Sequence, residues 1–219
     1  MVVRSERPGR RADPWRVLPL KSIFTRMVPK AFLFVGERLA VDLLNTVIGQ
    51  DARVQDLLVR PGDVAAWADA AGVVRAGALR PSALAREPNG LRTFREALRR
   101  GLRAWTASGR PGRGLVALLN THLARDVEIA EAHLAGGRLT IGRRSTSEPR
   151  AHLYGAVARS SAELLERGDP RRLRKCANPT CRLMFYDVSK AGRRRWCSMQ
   201  TCGARAKVSA FRARRARPL

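Results

Sequence analysis

All the cysteines of the chain fall in its last quarter: Cys176, Cys181, Cys197 and Cys202, spaced C-x4-C-x15-C-x4-C. Two thiol pairs with the same short internal spacing suit a tetrahedral zinc ion, whose four thiolates must converge about 2.3 Å from one centre. Four thiolates leave no open position for water, so the expected cofactor is one structural Zn2+. In an oxidising compartment the same residues could form two disulfides instead. Nothing near the start reads as an export signal, because Arg10-Arg11 is followed by Ala12-Asp13-Pro14 where an apolar stretch would be needed. The expectation is a cytoplasmic, reducing location.

The charge around the thiols narrows the function. The 219 residues carry 43 Lys and Arg against 18 Asp and Glu, a formal net charge of +25. Such a balance attracts polyanions, nucleic acid before anionic membrane. No apolar run approaches the ~20 residues of a membrane span. Arginine outnumbers lysine 38 to 5, a bias that a GC-rich genome also produces, so part of the charge is compositional background. Its distribution says more than its total. Residues 171–219 hold 15 basic residues and one acidic (+14), residues 31–170 hold 20 and 15 (+5), and residues 1–30 hold 8 and 2 (+6). The cations nearest the thiols, Arg193, Arg194, Arg195, Arg205, Lys207, Arg212 and Arg214, are the expected phosphate contacts. A solvated basic face or a protein-docking finger is the competing reading.

These groups need a scaffold. Asn178-Pro179 is a turn that brings Cys176 to Cys181. The fifteen-residue gap has room for a hairpin, with Leu183, Phe185 and Tyr186 on its first arm and Lys190-Ala191-Gly192 near its turn. Cys202 is expected in the first turn of a helix running towards Arg217. On that helix Ala204, Val208 and Phe211 form a stripe expected to pack on the finger, with Arg205 and Arg212 on one flank and Lys207 and Arg214 on the other. Knuckle, hairpin and ligand-bearing helix make a treble-clef-like module over residues 170–219, too small to fold on its apolar core alone.

Upstream, 3–4 residue spacing predicts a mainly α domain over residues 31–169, and 45% hydrophobic content supplies its core. Phe32-Leu33-Phe34-Val35 reads as a short strand and Leu39 to Val47 as a helix. Pro61-Gly62-Asp63 starts another, with Asp63 as its cap. Leu91, Phe94, Leu98, Leu102 and Trp105 give the strongest amphipathic pattern, and Leu115, Leu118, Leu119 and Leu123 give a further one. Ala135-Gly136-Gly137 is a hairpin turn between two strand-like runs, and Pro149 opens a helix that Gly168-Asp169-Pro170 closes. Residues 1–30 show no period and read as a disordered basic tail, a mis-called start with Met27 the true one, or an arm touching DNA. Asp42 and Asn45 sit in an apolar run; if buried they must be hydrogen-bonded, either lining a ligand pocket or bonding neighbouring backbone.

The stretch CANPTCRLMFYDVSKAGRRRWCSMQTCGARAK (residues 176–207) resembles the CGNR zinc-finger family in cysteine spacing and in its W-C-S-M and C-G-x-R elements. Ala204 stands where that family has the asparagine of its name. Phe34 to Val47 (F-x-G-E-R-L-A-V-D-L-L-N-T-V), Asp56-Leu57-Leu58, Pro61, Trp67, Leu91-Arg92 and Arg95-Glu96-Ala97-Leu98 are similar to the ABATE domain that usually accompanies this finger. The resemblance implies a stress-linked bacterial transcription regulator. The first expectation is a finger that binds zinc and DNA and a helical domain that senses a signal or forms a homodimer. The alternative is an adaptor that docks on RNA or protein without reading DNA. Catalysis is not expected: His122, His133 and His152 lie far apart in sequence, without a nucleophile motif or phosphate loop.

Overall fold

The computed structural model describes residues 32–50, 53–75 and 77–215; the 1–30 tail lies outside the described residues. About half of the described chain is helical, with three small antiparallel hairpins. The helices are α1 (Leu39–Leu44), α2 (Pro61–Ala70), α3 (Glu87–Ser108), α4 (Arg113–Leu123), α5 (Pro149–Arg167) and α6 (Ala204–Arg215). The strands are β1 (Val47–Gln50), β2 (Arg53–Asp56), β3 (Glu128–Ala135), β4 (Arg138–Ser145), β5 (Leu173–Lys175) and β6 (Met184–Tyr186). They pair as β1–β2, β3–β4 and β5–β6.

The long stripe of α3 is buried as its spacing predicts, with Leu91, Leu98 and Leu102 fully inside beside Trp105 and Phe94. Around it pack Leu43 and Leu44 of α1, Trp67 of α2, Leu115 and Leu119 of α4, and Leu153, Val157 and Leu164 of α5. Arg95, on α3, is buried and donates to both Asp56 carboxylate oxygens (2.8 and 2.6 Å) and to Thr46 Oγ1 (2.9 Å), tying α3 to the first hairpin. Burial works against the Asp56 carboxylate, yet these bonds hold its pKa below the ordinary value.

Several local expectations need correction. Residues 32–35 are irregular, not a strand. Helix α1 stops at Leu44, where the Thr46 hydroxyl donates to the Leu43 carbonyl (2.7 Å) and the chain turns into β1, so Val47 belongs to a strand. Asp63 lies inside α2, two residues after Pro61, and accepts from the Arg60 amide (2.9 Å) as a carboxylate reaching back over the helix start. The β3–β4 hairpin does turn at Gly136-Gly137, both at positive φ (57° and 76°), which two-residue turns of this hand require.

Candidate zinc and nucleic-acid site

The first thiol pair is positioned by β5 and β6, which pair on either side of it: Leu173 faces Tyr186 and Lys175 faces Met184. The hairpin expected inside the fifteen-residue gap is therefore not formed there; β6 takes its partner from residues preceding Cys176. Alternation along β6 serves two cores. Met184 and Tyr186 join the core of the helical domain, while Leu183 and Phe185 pack among the four cysteines. The loop after β6 is organised by Asp187, the sole acidic residue of the basic C-terminal stretch. Fully buried, it accepts from the Ser189 amide (3.0 Å) and the Arg194 amide (2.8 Å). Burial opposes that carboxylate, but these bonds and the Arg174 charge keep its pKa low. Its being the lone acid in a run of cations was the one sequence signal for this role.

The second pair closes the site. Cys197 leaves that loop, and Cys202 sits in a wide turn, Met199–Gly203, that leads directly into α6. All four Sγ atoms are buried and lie within 4.8 Å of one another. Cys181 and Cys197 are 3.9 Å apart, and Cys197 and Cys202 are 3.6 Å apart. These lengths exclude disulfides and bracket the ~3.8 Å edge of a thiolate tetrahedron around zinc. By themselves the thiols oppose one another. A hydrogen bond shared with Cys197 lowers Cys181 to about 5 while raising Cys197 well above its ordinary value. Beyond one thiolate, further negative charge in this cluster is opposed unless a cation sits at its centre. The Cys197 amide points at Cys176 Sγ (3.4 Å) and the Asn178 side-chain amide at Cys202 Sγ (3.6 Å), N–H donors of the kind that support thiolates.

The structure separates the three consecutive arginines. Arg193 and Arg195 are exposed, with Arg195 over the Trp196 ring at 5.2 Å. Arg194 turns inward, revising its expected place among the phosphate contacts. Its guanidinium donates to the Val35 carbonyl (3.1 Å), Glu37 Oε1 (2.8 Å), the Trp196 carbonyl (3.0 Å) and the Cys197 carbonyl, and lies 4.4 Å over the Phe185 ring. On α6, Arg205, Lys207, Arg212 and Arg214 are exposed. So are Ala204, Val208 and Phe211: the stripe does not pack on the finger. An open furrow runs along this helix between Thr201, Arg205, Val208 and Arg212.

Asp42 and Asn45 are buried, and each is hydrogen-bonded to backbone. Asp42 accepts from the Gly36 amide (2.7 Å). Asn45 bonds Met184 of β6 through both its amide nitrogen and its oxygen (2.9 Å each). Gly36 in turn accepts from the Tyr186 amide (2.9 Å). Between Gly36 and Arg38, Glu37 is held at φ 63°, an uncommon conformation for its type.

Of the histidines, His122 stacks on Tyr154 and lies tilted against Phe94 (centroids 4.9 and 4.4 Å), and burial lowers its pKa. His133 is exposed on β3. His152 contacts Asp126 (3.0 Å), whose other oxygen accepts from Arg159 (2.8 Å); Arg159 also reaches Glu128 (2.9 Å). The Arg159 guanidinium thus bridges the two carboxylates.

A four-thiolate module sharing a strand with a helical domain defines a zinc-finger protein of two joined parts. Residues 172–215 match the CGNR zinc finger, and residues 37–168 match ABATE, described as "Putative stress-induced transcription regulator". The second match spans more than half of the chain, which thus belongs to the ABATE family and carries a CGNR zinc finger at its C-terminal end. No curated protein matches the chain. Among the described residues no helix is long and apolar enough to cross a membrane.

Proposed function

We propose that the chain is a non-catalytic DNA-binding regulator of the cytoplasm, whose finger holds one Zn2+ through Cys176, Cys181, Cys197 and Cys202 in a treble-clef-like order and uses its outer surface on duplex phosphates. One observation carries this reading: the finger's sole carboxylate, Asp187, is buried and consumed, while Arg193, Arg195, Arg205, Lys207, Arg212 and Arg214 face solvent. A surface of cations without local counter-charge recruits a polyanion. The helical domain is fixed to the finger through Asn45 and Arg194, so a change in its core has a direct path to the zinc site. Titrating the zinc-loaded chain onto labelled duplex DNA over a salt series tests the reading. Affinity should fall steeply with salt, each phosphate contact adding about −0.9 to the log–log slope. Absence of binding at low salt, or preference for an RNA duplex, would overturn it.

A further inference from the structure

The exposed seam on α6 has no partner in the finger, and its setting says what could cover it. With 100° between successive helical residues, Ala204, Val208 and Phe211 lie along one line. Arg205 and Arg212 stand about a quarter-turn to one side, Lys207 and Arg214 about a quarter-turn to the other. Val208 and Phe211 are each about half exposed (48% and 51%). Apart from half-buried Ala206, the described side chains of α6 are exposed, and no acidic residue occurs on the helix. An apolar line between two cationic rails, on a twelve-residue helix free of the body it grows from, matches in shape and charge a groove walled by two phosphate strands. The major groove of B-form DNA is about 12 Å wide and admits a helix 10–12 Å across, whereas the major groove of A-form RNA is too narrow and deep.

Resting on the DNA-binding reading above, we infer that α6 lies lengthwise in the major groove of B-form DNA, with Val208 and Phe211 against base edges and the two rails against opposite phosphate strands. The groove floor offers such side chains one apolar feature, the thymine C5-methyl group. The seam then supplies sequence preference and the rails supply affinity. Thr201, beside Val208 in the furrow, is placed to hydrogen-bond a base next to those methyls.

The test uses the full-length zinc-loaded chain and a duplex selected from a random-sequence pool. Three forms are compared: wild type, Val208→Ala/Phe211→Ala and Arg205→Ala/Arg212→Ala. All substituted side chains are exposed, so zinc content and unfolding temperature should match wild type in both variants and serve as the folding control. The rail variant should bind every duplex more weakly and lower the salt slope by about 2. The seam variant should keep the slope but lose about tenfold or more of the preference for the selected duplex over a scrambled one. Replacing thymine by uracil in the selected duplex should weaken wild type and leave the seam variant unaffected. Guanine N7, on the major-groove edge, should be protected from alkylation. Salt-sensitive binding with unprotected N7 atoms, or an unchanged preference in the seam variant, would overturn the groove assignment while sparing the DNA-binding reading. Binding to anionic vesicles with none to any duplex would overturn both.

Discussion

Asn45 and Met184, 139 residues apart, exchange two hydrogen bonds of 2.9 Å, the side-chain amide of one standing in for a strand neighbour of the other. By this bond the residue that caps α1 extends the β5–β6 ladder sideways, so finger and helical domain meet through a backbone-like pairing and not through side-chain packing alone. The same strand sends Met184 and Tyr186 into one core and Phe185 into the other.

Replacing Asn45 by alanine should therefore leave the buried Met184 amide and carbonyl without partners. The expected loss is about 2–4 kcal/mol, a drop of roughly 5–15 °C in unfolding midpoint for a chain of this size. Thermal unfolding followed by circular dichroism checks it. An unchanged midpoint would mean that the pairing contributes nothing net.

Arg193 and Arg194 are adjacent and should behave oppositely. Arg194→Ala removes a guanidinium that joins the Val35, Trp196 and Cys197 carbonyls with Glu37, and should cost about 2–4 kcal/mol of stability. Arg193→Ala should leave stability within about 0.5 kcal/mol and lower the salt slope of duplex binding by about 0.9. Chemical denaturation and a salt titration on both variants separate the roles. Equal effects of the two on both measurements would contradict the assignment.

Asp42 supplies a pH dependence. Burial, reinforced by Glu37 and opposed by the Gly36 amide, raises its carboxyl from 3.8 to about 7. Between those values the folded chain binds a proton that the unfolded chain has released. The residue's contribution is thus fully present below pH 3.8 and is lost as pH rises through 7, at up to about 1.4 kcal/mol per pH unit. Asp42→Asn resembles the protonated acid and removes this slope, while effects common to both proteins, such as zinc release, cancel in their difference. Wild-type stability minus variant stability should fall from pH 5 to 7 and be flat above. A difference that is flat throughout would show that Asp42 is not held as the neutral acid.

How far the sequence foretold this arrangement depended on the range of the interactions involved. The α3 stripe was legible because five apolar residues at helical spacing bury together, and the thiol set because zinc requires short paired spacings. The β1–β2 hairpin was not: its four-residue strands are largely exposed on Arg53, Val54 and Gln55, so no alternation marks them. The partner of β6 was missed because Leu173-Arg174-Lys175 lies before the first cysteine. Nothing local distinguishes Arg194 from Arg193 and Arg195; the carbonyl of Val35, 159 residues away, does. The exposed seam on α6 was read as core because spacing reports a face and not what covers it.

Metal content and duplex binding measured side by side on wild type and Cys197→Ser test the central claim most directly. Wild type should hold about one zinc per chain and bind duplex DNA with a steep salt dependence, and the variant should lose both, because the finger's fold is coupled to its metal. A variant that loses zinc yet keeps full duplex affinity would contradict the account, since the finger would then not be the surface that meets DNA.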